Sequence, residues 1–279
     1  MREAGSGTRE AGSAKRRGKL MSTRVAAAMC LAGALGWSGA SPNSGAAASA
    51  PPASRAPLPA PRAPRPASRF PLPASREAAR LTIARLQYDG GGDWYANPSS
   101  LPNLLAAIRQ RTSLDVDKVE ARVRLTDDKL WDYPFLHVTG HGNIRLSDEE
   151  VVRLREYLTR GGFLHVSDNY GIDSSFRREI RRVFPDRELV DIPLSHPIYH
   201  VVYSFPKGLP MIHEHDGKPA RGFGIFLGDR LAVFYDYECD LGNGWEDPEV
   251  YHDPPALHEA ALRMGVNLFV YAVTSRPVP

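Results

Sequence analysis

The chain has 279 residues, 42% of them hydrophobic and 24% charged, with a formal net charge of +3 and a pI near 8.9. That charge is unevenly placed: residues 1–80 hold thirteen of the 35 Lys+Arg and three of the 32 Asp+Glu, a net of +10, which leaves −7 for residues 81–279. A basic pI suggests a polyanionic partner, but the part able to fold is acidic, so no nucleic-acid partner is expected.

Residues 15–24 are basic, residues 25–37 form an uncharged run of thirteen small and apolar residues, and Ser38, Gly39 and Ala40 end it in a small-x-small pattern. This order predicts a secretory signal peptide over residues 1–40. The run falls short of the roughly 20 apolar residues of a spanning helix. The expected destination is therefore periplasmic or extracellular, with an uncleaved membrane anchor as the alternative and no other membrane contact. Met21 is a second possible start. Cys30 lies in this region and leaves Cys239 alone in the remainder, which excludes an internal disulfide and suggests a buried thiol. Over residues 41–75, thirty of 35 residues are Ala, Pro, Ser or Arg. Such a composition cannot bury a core, so residues 41–80 read as a disordered linker.

From residue 81 the texture becomes that of an α/β domain, expected to run to residue 275. Residues 81–88 read as a strand, followed by a glycine loop (Gly90, Gly91, Gly92) between Asp89 and Asp93. Residues 101–111 read as a helix, with Pro102 in its first turn, and residues 118–125 as a second strand. Residues 134–139 are almost continuously apolar, as a strand buried on both faces should be. Ser147 and Glu150 form a capping box for a helix over residues 147–160 that Gly161 stops. A strand over 163–167, a helix over 175–184 and a short strand over 188–191 follow. Residues 223–227 and 231–235 read as a hairpin, and the last helix begins near Pro255. The alternation predicts a doubly wound, mostly parallel sheet with a late antiparallel hairpin.

Ligands of open parallel sheets bind beyond the carboxyl ends of the strands. Those ends carry Asp89, Gly90, Gly91, Gly92, Asp93 and Trp94; His141 between glycines; Asp168, Asn169 and Tyr170; and Asp236. With Trp245 they suggest an acidic, aromatic-edged crevice that suits a cation or a neutral polyol better than an anion. The third and fourth strands echo each other, which places His137 beside His165 as buried core histidines and His141 near Asp168 at the rim. His196, His200, His213, His215 and His252 lack metal-protease spacing and read as solvated loop residues, so no metal or cofactor is implied, with a metal site assembled from Asp168, His141 and one of these histidines as the alternative.

The stretch from Leu86 to Tyr95, Thr139-Gly140-His141-Gly142, Gly161 to Asp168, Phe176 to Glu179, Val183-Phe184-Pro185 and His196-Pro197-Ile198 together resemble the family DUF4159. The resemblance implies a flavodoxin-like three-layer sandwich similar to class I glutamine amidotransferases. Counted from Gly161 and Gly162, the nucleophilic cysteine of those enzymes falls on Asp168, a poor nucleophile toward an amide, so glutaminase activity is not expected. Three readings remain. The domain binds a small polar ligand or an envelope protein partner; it is a hydrolase, metal-assisted or not, with Asp168 as base and His141 as proton shuttle; or it is a structural envelope component.

Overall fold

The computed structural model describes residues 81–275; the expected signal peptide (1–40) and linker (41–80) lie outside the described residues. In chain order the elements are β1 (Ile83–Leu86), α1 (Ser100–Arg111), β2 (Ala121–Val123), β3 (Phe135–Val138), α2 (Asp148–Thr159), β4 (Phe163–Ser167) and α3 (Asp173–Val183). They continue with β5 (Val190–Asp191), β6 (Arg221–Leu227), β7 (Arg230–Tyr237), α4 (Pro248–Tyr251) and α5 (Pro255–Thr274). Seven strands form one sheet in the order β2-β1-β3-β4-β7-β6-β5. From β2 to β7 every neighbouring pair is parallel, whereas β6 runs antiparallel to both β7 and β5. The start 2-1-3-4 is the flavodoxin-like order, and β7, the second strand of the hairpin, takes the fifth place.

Alternate residues of the central strands supply two cores. Ile83, Phe135, Phe163 and Phe234 pack beneath α1 and α5, against Leu101, Leu104, Leu105, Leu268 and Phe269. Ala84, Leu136, Val138, Leu164, Val166 and Val233 pack beneath α2 and α3, against Leu154, Leu158, Phe176 and Ile180. Each fully buried Leu, Ile or Phe contributes about 1.5–3 kcal/mol. The result is a three-layer α/β sandwich. None of the described helices is long and apolar enough to cross a membrane.

The helix starts differ in origin. Ser147 caps α2 by accepting from the Glu150 amide, and Glu150 returns the bond, completing the expected capping box. The first turn of α1 holds no acid and Ser99 provides no side-chain cap. Instead the distant Glu246 carboxylate accepts from the Ser99 and Ser100 amides at 3.0 and 2.9 Å, so the hairpin side of the chain closes α1.

Candidate functional site

On the face beneath α1 and α5, polarity rises along the strands toward their carboxyl ends. Arg85, His137 and His165 lie side by side across β1, β3 and β4. The two histidines are fully buried, with Nδ1 atoms 3.0 Å apart, and both rings lie against Trp245 at 5.6 and 5.3 Å. One shared proton satisfies that contact, one ring donating and the other accepting. Burial holds His137 well below its ordinary pKa, reinforced by His165 and Arg85. Arg85 donates to the carbonyls of Ala96 and Asn97, fixing the loop that leads into α1.

Two residues beyond Phe234 stands Asp236, fully buried, with Oδ2 3.5 Å from His165 Nε2. Its Oδ1 accepts from the Asp168 amide at 2.6 Å, and its Oδ2 accepts from the Leu241 amide at 2.9 Å. Burial pushes this carboxyl above its ordinary value, opposed by His165 and the amide of Asp168. The Asp168 carboxylate accepts from the Glu238 amide at 2.7 Å, and the Ser167 hydroxyl accepts from the Gly242 amide at 2.8 Å. The end of β4 and the turn after β7 thus hold each other through buried charged and hydroxyl groups.

That turn is strained. Among the described residues the non-glycines in the left-handed region are Asn97, Glu238, Asp240 and His252. Asn97 donates to Asn243 at 2.6 Å and accepts from Tyr251, the neighbour of His252, at 3.0 Å, so all four belong to this one edge of the sheet.

His215 and His213 are not solvated loop residues, as the sequence suggested. His215 is nearly buried, with Nδ1 3.8 Å from Asp168 and Nε2 3.7 Å from Asp240. Asp168 and Asp240 push it up to about 10, making it an imidazolium. Burial pushes Asp240 up to about 6 against the opposing pull of His215. His213 is half-buried between Asp253 (3.2 Å) and the Asn243 amide (2.9 Å). A single sequence signal marked this region: acids at alternate positions (Asp236, Glu238, Asp240) directly after an apolar strand.

A cleft of about 290 Å³ opens here, lined by Asp168, Tyr170, Ser174, His215, Lys218 and Tyr237. The Tyr170 ring is 62% exposed and meets His215 edge-on at 5.8 Å. α3 starts in this cleft, and Ile172 at its N-cap offers no side-chain acceptor for the first-turn amides.

The residues expected to line one crevice divide into groups. Asp168 reaches the cleft, while Asp236, Asn169 and Trp245 lie buried beneath the edge. Asn169 accepts from Thr139 at 2.6 Å. Asp89, the glycine loop, Asp93, Trp94 and His141 gather at the ends of β1 and β3. There His141 Nδ1 sits 3.1 Å from Asp93. A side chain at Gly90 or Gly92 would strike the backbone of residues 141–145, so these glycines serve a close approach of the chain to itself. Asp168 and His141 therefore have different partners, and no hydrogen bond or ion pair joins them. Among the described residues no group of three His, Cys, Asp or Glu is placed to hold a metal ion. Cys239 is buried and free, as its isolation predicted, and burial raises its thiol well above the ordinary range.

Residues 82–273 match the family described as domain of unknown function DUF4159, and the chain belongs to that family. No curated protein matches the chain.

Proposed function

We propose that this DUF4159 domain is a binding domain that takes a small, uncharged, polyhydroxylated ligand in the cleft between Tyr170 and Tyr237. The observation that carries this reading is backbone strain beside the cleft: Glu238, which lines it, and Asp240, which pairs with His215 at its wall, are both non-glycine residues in the left-handed region. Each such conformation costs about 1–3 kcal/mol and persists where the surroundings over-determine it, typically at functional sites. The lining supports the ligand class. Ser174 and the uncapped amides of α3 supply donors, Asp168 and Glu238 supply acceptors, and the exposed Tyr170 ring supplies an apolar face. The carboxylates disfavour an anion, and the Lys218 ammonium already stands 5.6 Å from the Tyr237 ring centre, where an organic cation would sit.

The amidotransferase likeness supports the same direction. Counted from Gly161 and Gly162, Asp168 falls where the resemblance puts the thiol of those enzymes, and its carboxylate is engaged with the Glu238 amide and His215. A hydrolase using Asp168 and His141 draws less support, because Asp93 holds the imidazole. Calorimetric titration with monosaccharides and linear polyols tests the binding reading. Saturable binding weakened about tenfold by Tyr170→Ala and by Asp168→Asn is the expected outcome. Absence of saturable binding, or binding indifferent to both substitutions, sinks it.

The composition of residues 1–40 supports delivery outside the cytoplasm. N-terminal sequencing of the native protein should then begin downstream of Ala40, and an intact Met1 or Met21 in a cytosolic fraction would refute export.

A further inference from the structure

The opposite flank of α3 carries a second cavity, of about 250 Å³, between α3, the segment after it and β6. Its charged lining is Arg177, Arg181, Arg187 and a single acid, Glu188, above a floor of Ile180, Leu189 and Ile225. This is an unusual concentration in a region whose net charge is −7.

The arginines of α3 divide by side. Arg178 and Arg182 turn toward Glu179 and Asp148, which neutralise them. Arg177 and Arg181 turn to the cavity. Arg177 is held by Asp173 at 2.7 Å, and its guanidinium stacks 4.9 Å from the Phe223 ring centre, which fixes its position. Arg187 donates to a neutral acceptor, the Phe226 carbonyl, at 3.1 Å. Among the described residues neither Arg181 nor Arg187 has a carboxylate within ion-pair distance, and Glu188 neutralises neither. Asp173 offsets the charge of Arg177, which leaves the like charges of the exposed Arg181 and Arg187 uncompensated beside it and repelling one another. A doubly charged oxyanion relieves that repulsion, and the planar guanidinium fork matches the oxygen spacing of phosphate.

We infer that the cavity formed by Arg177, Arg181 and Arg187 binds a phosphate monoester group, with the apolar floor accepting the neighbouring carbons of the ligand. Arg177 joins this site to the wall of the Tyr170 cleft through Asp173 and Tyr237, whereas Arg181 and Arg187 line the second cavity and not the cleft, so they test it independently of what the cleft binds. The phosphate can belong to a soluble metabolite or to a lipid headgroup, and the two differ in the test.

The full chain is titrated calorimetrically with glycerol 3-phosphate, and is sedimented with phosphatidylcholine vesicles with and without phosphatidic acid. The variants are Arg181→Gln and Arg187→Gln, both exposed positions whose melting temperatures check folding. Arg122→Gln, an exposed position on β2 at the other edge of the sheet, is the control. Saturable binding of glycerol 3-phosphate, about tenfold weaker in each arginine variant and unchanged in the control, supports the site with a soluble ligand. Sedimentation that needs phosphatidic acid and falls by a similar factor in both arginine variants supports it with a lipid headgroup. The basic residues of 1–80 are common to all variants, so vesicle binding that they alone produce leaves the variants equal to the parent. Equality of parent and folded arginine variants in both arms, or no binding in either, overturns the proposal.

Discussion

The two faces of the sheet are built from alternate residues of the same strands, yet they bury different chemistry. Beneath α2 and α3 the central positions are apolar from end to end: Ala84, Leu136, Val138, Leu164, Val166 and Val233. Beneath α1 and α5 the strands begin with Ile83, Phe135 and Phe163, then turn to Arg85, His137, His165 and Asp236 near the carboxyl edge. A slip of one residue in any strand would exchange the two sets, so polarity on one face and packing on the other specify the same register. The dry face holds the sandwich together. The graded face also aims the turn after β7 at the end of β4, which is where the cleft forms.

Removing the centre of the graded face should have the largest effect. Asp236→Ala leaves the Asp168 and Leu241 amides and the Ser167 hydroxyl without their acceptor, and should cost about 3–5 kcal/mol in urea unfolding. A loss below about 1 kcal/mol would mean that the turn is held by packing alone, and the contrast between faces would collapse.

The next effect separates the faces by pH. In the fold His137 has a pKa well below its ordinary 6.5, so the unfolded chain binds its proton first as pH falls. The stability tied to His137 is therefore complete above pH 6.5 and is lost as acid is added toward the lower folded value, by at most about 1.4 kcal/mol per pH unit. Asp236, raised in the fold, acts with the opposite sign above its ordinary 3.8, and both parent and variant share it. His137→Phe should therefore unfold with a flatter acid limb than the parent, whereas Leu136→Ala on the dry face should lower stability without changing the slope. Parallel curves for parent and His137→Phe would show that His137 does not titrate on unfolding.

The smallest effect lies away from both faces. Glu150→Ala opens the capping box of α2 and should cost about 1 kcal/mol, with no change in ligand binding at the cleft.

What was legible in the sequence follows the reach of each interaction. The bounds of β4 and the capping box of α2 rest on neighbouring residues and were readable directly. The pairing of His137 with His165 was readable because β3 and β4 echo each other residue by residue. The place of β7 beside β4, rather than at the rim, was not readable, since bonds such as Asp168 to Asp236 and Ser167 to Gly242 join residues 68 and 75 apart. For the same reason His215 read as solvated: its burial depends on carboxylates from two other segments. Arg85 was passed over inside an apolar strand, although a lone charge among Ile83, Ala84 and Leu86 is itself a sign of a buried partner. The glycine loop was read as part of a ligand crevice, whereas what approaches Gly90 and Gly92 is the backbone of residues 141–145 of the same chain.

The insertion of β7 into the fifth place of the sheet also has a consequence in time. During synthesis β4 leaves the ribosome about 3–12 s before β7 begins, given the 63 residues from Ser167 to Arg230 and usual elongation rates. Through that interval the growing chain carries an open parallel edge along Phe163 to Ser167, with unpaired amides able to recruit a foreign strand. The cleft and its strained turn come last, so a nascent chain stalled before residue 230 has an exposed sheet and no site.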